Sequence, residues 1–206
     1  MAGAGFKDFV AGDVLTADQV DTYLMQQSVM RFADASARDT ALSGVLAEGM
    51  FAYLDDTDAV TVYTGSAWRV LWSDWISFTP SWTNMTTSSD TASYRYSPGR
   101  IQITGRGTLS AVLTGSPTLT LPNSHTIATE AQSTWQPFTG WVFWRDVDAN
   151  LTYYSHAAYS STTTITFYVP NNSGTYDYAN NVGASIPFVA VSGDLFWYDL
   201  SIPYND

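Results

Sequence analysis

The residues able to do chemistry are few: two histidines, His125 and His156, a cluster of aspartates at Asp55, Asp56 and Asp58, scattered carboxylates beyond residue 76, and no cysteine. Hard cations need several carboxylates together, so the aspartate cluster is the first metal candidate. It lacks the glycine and distal glutamate of a helix–loop–helix calcium site, and aspartates are ordinary turn formers, so the cluster reads as a turn. Neither histidine has a second His or Glu at ligand spacing. Without cysteine there is no thiol nucleophile, thiolate metal site or disulfide framework. No Gly-x-Ser-x-Gly elbow occurs. Gly105-Arg106-Gly107 is too short for a phosphate loop and reads as a turn or bulge between strands. A glycosidase needs two carboxylates facing each other across a cleft. Asp90, Glu130, Asp146, Asp148, Asp177, Asp194 and Asp199 offer the groups, but nothing local singles out a pair. The expectation is a protein that is not an enzyme, with no catalytic residue, cofactor or metal ligand assigned.

Aromatic side chains carry a stronger signal. Trp135, Trp141, Trp144, Tyr153, Tyr154 and Tyr159 crowd one region, with Tyr176 and Tyr178 beyond the turn Asn171-Asn172-Ser173-Gly174. Strand alternation sends Trp141 and Phe143 to one face and Val142 and Trp144 to the other, so one core cannot hold them all. Exposed rings flanked by Asp and Asn suit sugars, whose C–H faces stack while their hydroxyls bond to polar neighbours. The competing reading is that the rings fill a sandwich core or a subunit interface. The first six residues are therefore the candidate glycan or surface contacts.

Composition bounds the partners. The chain has 206 residues, 45% hydrophobic and 13% charged, which excludes intrinsic disorder. Its Lys+Arg of 8 against Asp+Glu of 19 gives a net charge of -11, so nucleic acid is not expected as a partner. No stretch approaches the roughly 20 apolar residues of a membrane helix, so no membrane insertion is expected. The opening residues lack the basic-then-apolar pattern of a secretory signal.

The elements that must position these residues fall into two modules, 1–75 and 76–206, divided by a shift towards Thr, Ser, Tyr and Trp. The first opens with a glycine-broken arm, Ala2 to Gly12. Thr16 followed by Gln19 forms a capping-box pattern, and a helix is predicted from Ala17 to Arg38. On its wheel Tyr23, Met25, Val29, Met30, Phe32, Ala33 and Ala37 share one half, while Asp21, Gln27, Arg31, Asp34 and Arg38 lie on the other. That apolar arc is wider than one core needs, which leaves two readings: a groove in its own domain, or a face shared with a symmetry mate. Val20, Gln27 and Asp34, seven apart, do not hold a coiled-coil seam. Tyr23, Met25, Val29, Met30 and Phe32 are the candidate oligomer or attachment contacts. Next come three short strands, around 49–54, 59–63 and 67–72, a meander that is marginal alone.

The second module is all β by its signals. Strand candidates are 101–104, 108–113, 118–121, 140–145, 151–155, 163–169, 186–191 and 195–200, separated by turn residues such as Ser97-Pro98-Gly99 and Ser192-Gly193-Asp194. The predicted fold is mainly β: an N-terminal helix and small β-meander, then an antiparallel β-sandwich or jelly roll.

An ordered run of motifs then becomes informative. Phe6-Lys7-Asp8-Phe9, Gly12-Asp13-Val14-Leu15-Thr16-Ala17, Tyr23-Leu24-Met25-Gln26-Gln27, Arg31-Phe32-Ala33, Glu48-Gly49-Met50, Leu54-Asp55-Asp56-Thr57 and Val62-Tyr63-Thr64-Gly65-Ser66-Ala67-Trp68 resemble the N-terminal module of tailed-bacteriophage virion proteins of the minor-tail or tail-fibre type. Phe78-Thr79-Pro80-Ser81-Trp82, Thr118-Leu119-Thr120-Leu121-Pro122, Ile186-Pro187-Phe188 and Ser192-Gly193-Asp194 are more loosely similar to their C-terminal β domains. The resemblance implies a virion component, generally a homotrimer. Its N-terminal module would attach to other virion proteins and its β domain would face outward, towards host cell-surface polysaccharide. The chain departs from long fibres in having no shaft between Trp72 and Phe78. A head decoration or tail adaptor with a purely structural role is the alternative, and a glycan depolymerase a further one.

Overall fold

The structure is a computed structural model that describes residues 10–25, 28–128, 139–169, 180–182 and 189–205. The chain divides into two units, Met1–Asp74 with Tyr96–Pro98, and Trp75–Arg95 with Gly99–Asp206. Residues 2–9 of the predicted arm, together with Trp135, Tyr176 and Tyr178, lie outside the described residues.

In the first unit the capping box forms as expected at the start of α1, Ala17–Val20. Gln19 N donates to Thr16 Oγ1 at 3.3 Å and Thr16 N donates to Gln19 Oε1 at 3.2 Å. The helix continues as a wider π turn over Asp21–Met25, and Ser28 then donates its hydroxyl to the Met25 carbonyl at 2.9 Å. The predicted helix to Arg38 does not form. Val29–Phe32 is strand β1, paired in parallel with β2, Phe51–Leu54, in the register Val29↔Phe51 to Phe32↔Leu54. Valine and phenylalanine suit a strand, and pairing satisfies backbone groups along an otherwise open edge of β2, so long-range hydrogen bonds override the local helical period. Asp34, read as part of a polar helix face, instead caps a new helix, α2, Ala35–Ala41, by accepting from Ala37 N at 2.7 Å. The wheel that grouped Tyr23, Met25, Val29, Met30 and Phe32 is therefore not a helix face.

The expected meander is present: β2 pairs with β3, Ala59–Tyr63, which pairs with β4, Trp68–Trp72, giving the order β1-β2-β3-β4. The aspartate cluster is the β2–β3 turn. Asp58 takes a left-handed conformation at φ 45°, Asp55 pairs with Arg31 at 2.7 Å, and the Tyr53 hydroxyl donates to Asp58 at 2.5 Å. Among the described residues no group of three or more acidic or histidine side chains is arranged to hold a metal ion. The core here is small: Leu42, Met50, Ala52, Leu54 and Ala59, plus Arg38. The Arg38 guanidinium lies 4.3 Å from the centre of the Trp68 ring, donates to Thr61 Oγ1 at 3.4 Å and pairs with Asp39 at 2.9 Å.

The second unit is one curled antiparallel sheet, the β-sandwich class expected. Its strands are β5 (Ile76–Phe78), β6 (Ser81–Thr83), β7 (Thr87–Ser97), β8 (Arg100–Leu109), β9 (Thr118–Thr120), β10 (Thr126–Ile127), β11 (Gly140–Asp146), β12 (Leu151–Tyr159), β13 (Thr164–Val169), β14 (Asn180–Asn181) and β15 (Leu195–Asn205). They run in the order β5-β7-β8-β15-β11-β12-β13-β9-β6, with β10 on β15 and β14 on β13. β5 and β6 are consecutive in the chain yet end opposite edges of this path, so the link through Thr79 and Pro80 makes the sheet curl. Trp82 of β6 thereby packs edge-on against Phe196 and Tyr198, with ring centres 5.5 and 5.6 Å away.

Three readings change. The candidate at 101–104 and the first two residues of that at 108–113 are one strand, β8, and 110–113 are not strand. The long strand β7 was not among the candidates: its first half is Thr, Ser and Asp, although Ala92, Tyr94 and Tyr96 alternate with Ser93, Arg95 and Ser97. The described part of 186–191, residues 189–191, is not strand. Gly105 and Gly107 are accordingly not a turn: they lie within β8, on its inward positions. A Cβ on Gly105 would stand 2.3 Å from the Tyr198 ring, and one on Gly107 would stand 2.6 Å from Phe196, so the glycines make room for these rings.

Inside the curl are Trp144, Phe167, Phe196, Tyr198, Ile103 and Leu119, all buried. Trp144 Nε1 donates to the buried Ser155 hydroxyl at 2.6 Å. The loop before β15 is tied down by buried Asp194, whose carboxylate accepts from Val147 N at 3.0 Å and Val191 N at 2.8 Å.

Candidate functional site

The site is built by registry. β12, β11, β15 and β8 lie side by side, and their outward positions form cross-strand rows. One row reads His156, Trp141, Asp199, Thr104; the next reads Tyr154, Phe143, Trp197, Arg106; the third reads Thr152, Arg145, Leu195, Thr108. The middle row is aromatic over three strands. The Phe143 and Trp197 rings stack at 5.4 Å with a 12° interplanar angle, and Tyr154 meets Phe143 edge-on at 4.9 Å. In the row above, Trp141 and His156 have ring centres 4.7 Å apart. Cross-strand aromatic pairs of this kind hold one another in fixed orientation.

These rings face outward. Trp141 is 55% exposed, Tyr154 58% and Trp197 37%. A groove of about 1300 Å³ is lined by outward residues such as Thr104, Arg106, Trp197 and Asp199 and also by the inward Asp90, Phe196 and Tyr198. The surface thus combines flat apolar rings with hydroxyls, one carboxylate and guanidinium groups. Partial burial beside Trp141 lowers the pKa of His156, favouring the neutral ring.

On the inner side of the same strands, Trp82 Nε1 donates to Asp90 Oδ2 at 2.5 Å, while Asp90 Oδ1 and the Tyr198 hydroxyl have no hydrogen-bond partner among the described residues. Burial pushes the Asp90 carboxyl up, partly opposed by the Trp82 hydrogen bond, and it also pushes the Tyr198 hydroxyl up.

Of the six predicted contacts, the structure brings Trp141 and Tyr154 together on the outer face. Trp144 is a correction: it is 1% exposed and fills the core, because alternation along β11 turns it inward with Val142. Tyr153 and Tyr159 fall on the same side of β12 as buried Ser155 and Ala157, opposite Tyr154, and are partly covered. Trp135 lies outside the described residues. Sequence reasoning missed Trp197, Arg106 and Asp199. Phe143 was placed on the face of Trp141 but not named as a contact. The alternation of 195–200 would have put Trp197 and Asp199 on one face, but no local signal says that this strand lies beside β11.

In the N-terminal unit, Val29 is 60% exposed and Met25 52%, while Tyr23, Met30 and Phe32 are partly covered. Val14, Leu24, Phe51 and Trp72 are exposed as well.

No protein-family model and no curated protein matches the sequence. Among solved structures the chain is similar to the crystal structure of the Dettilon tailspike protein, with 18% identity and a TM-score of 0.40, over 64% of this chain and 24% of that one. The chain therefore matches about a quarter of the tailspike's length.

Proposed function

We propose that this chain is a non-enzymatic phage virion protein of the tail type that contacts host-surface carbohydrate through the outer face of its large sheet. The observation that carries the carbohydrate reading is the row Tyr154, Phe143, Trp197 with Trp141 beside it, rings held in register at the surface and flanked by hydroxyls and charges. Large rings exposed together on a protein with an ample core mark a contact surface. The polar fringe suits a ligand with both C–H faces and hydroxyls better than a purely apolar partner. The phage assignment rests on the ordered N-terminal motifs. The exposed Val14, Leu24, Met25, Val29, Phe51 and Trp72 of the N-terminal unit support its role in trimer formation and attachment to other virion proteins.

A panel of bacterial surface polysaccharides tests the carbohydrate reading. Wild-type protein binds at least one member, and Trp141→Ala or Trp197→Ala abolishes that binding without loss of fold; a wild type that binds none overturns it. Light scattering tests the trimer: three copies of the 22.6 kDa chain are expected, and a stable monomer at micromolar concentration removes that part.

A further inference from the structure

The second unit contains four basic residues after position 75, Arg95, Arg100, Arg106 and Arg145. All four lie on outward positions of neighbouring strands: Arg95 on β7, Arg100 and Arg106 on β8, Arg145 on β11. Cross-strand contacts fix this side. Arg95 Nε donates to Gln102 at 2.6 Å and Arg100 Nε donates to the Ser201 hydroxyl at 2.7 Å, both partners facing outward. The described outward positions of β7, β8, β15 and β11 carry one acid, Asp199. For Arg95, Arg106 and Arg145, no carboxylate lies within ion-pair distance among the described residues. In a chain of net charge -11, a face with four arginines and one carboxylate is a local reversal of sign.

Arg106 stands directly opposite Trp197 at one end of the aromatic row, and Arg145, two residues along β11 from Phe143, lies in the neighbouring row. Arg95 lies 4.7 Å over the Trp75 ring, a second arginine–aromatic pair on this unit. Six residues separate Arg100 from Arg106, about 20 Å at the rise of a β-strand, a span suited to a polymer rather than a single sugar.

We infer that the polysaccharide taken by this face is anionic, with carboxylates on successive sugars meeting Arg106 and Arg145 while the rings stack on Trp197, Phe143 and Trp141. This inference rests on the carbohydrate reading above and names its ligand class. Guanidinium forks match carboxylates in a bidentate way, and the acidic remainder of the surface repels a polyanion from other faces.

The test uses the full chain against immobilised alginate, hyaluronan and polysialate as anionic polysaccharides, dextran and mannan as neutral ones, and poly-L-glutamate as an anion without sugar rings. Binding is expected to an anionic polysaccharide above dextran, mannan and poly-L-glutamate. The double variant Arg106→Gln, Arg145→Gln should weaken it about tenfold, as should raising salt from about 0.05 to about 0.5 M. Arg69→Gln, the same charge change in the N-terminal unit, should leave it unaltered, and circular dichroism checks each fold. Binding to dextran or mannan that ignores the arginine variants overturns the inference and leaves the carbohydrate reading standing. Equal binding to poly-L-glutamate overturns it as simple ion exchange. Binding to none of the polysaccharides overturns both.

Discussion

In the four-stranded sheet the inward positions hold Ala52, Leu54 and Ala59 beside a buried arginine, while Val29, Phe51 and Trp72 stand at the surface. In the large sheet the inward positions hold Trp144, Phe196, Tyr198 and Phe167, and the outer rings form a row with polar neighbours. Alternation runs through both sheets apart from a register shift between β3 and β4, and it does not by itself decide which rings are buried. What decides is what covers each face. The curl of the large sheet covers its own inner face with large aromatic side chains, whereas the small unit buries Leu42, Met50, Leu54, two alanines and Arg38 and leaves Val29, Phe51 and Trp72 exposed. The first arrangement makes a scaffold with a row of exposed rings; the second leaves exposed apolar side chains around a small core.

Four variants break or sharpen this contrast. The largest effect belongs to the scaffold core. Trp144→Ala removes a ring that packs against Phe167 and Phe196 and takes away the donor to the Ser155 hydroxyl, and is expected to cost about 3–5 kcal/mol in urea unfolding. A loss below 1 kcal/mol would mean that the inner rings are not the scaffold. Gly105→Ala comes next: its methyl must displace the Tyr198 ring, for a cost of about 1–3 kcal/mol, read as a lower midpoint with unchanged slope.

Asp90→Asn has a smaller effect that depends on pH. Burial raises the carboxyl in the folded state, so the native protein holds this proton more tightly than the unfolded chain does. Stability from this group therefore falls as pH rises from the ordinary carboxylate value to the raised one. The asparagine variant, which still accepts from Trp82, should melt higher than wild type at neutral pH, with the gap closing in acid. A gap that widens in acid would contradict the sign.

The smallest stability effect is expected from Val29→Ser with Trp72→Ser in the small unit, within about 0.5 kcal/mol for an isolated subunit, because both side chains are already exposed. Their effect should appear instead as dissociation in light scattering. A folding defect without a change in assembly would show that these residues serve the unit's own core.

Much of this fold was legible, and the reasons are local. The meander, the Thr16–Gln19 capping box and strands β11, β13 and β15 all carry their signal within a few residues of themselves. The helix drawn from Ala17 to Arg38 failed over Val29–Phe32 because apolar spacing cannot report that β2, more than twenty residues later, offers an edge to Val29. β7 was missed because its first half, Thr87 to Thr91, holds only Thr, Ser and Asp, although Ala92, Tyr94 and Tyr96 alternate with Ser93, Arg95 and Ser97 further along. The site was half legible for the same reason. Trp141 and Phe143 share a face by alternation alone, but their neighbours Trp197 and Arg106 arrive through pairings of β11 with β15 and of β15 with β8, a long-range fact absent from any window of sequence.

The most direct test of the display face is a structure of the protein soaked with the polysaccharide fragment that binds best. The account predicts sugar rings lying across Trp141, Phe143 and Trp197 with their polar groups towards Arg106 and Asp199. A fragment bound elsewhere, with this face empty or covered by a second subunit, would contradict it.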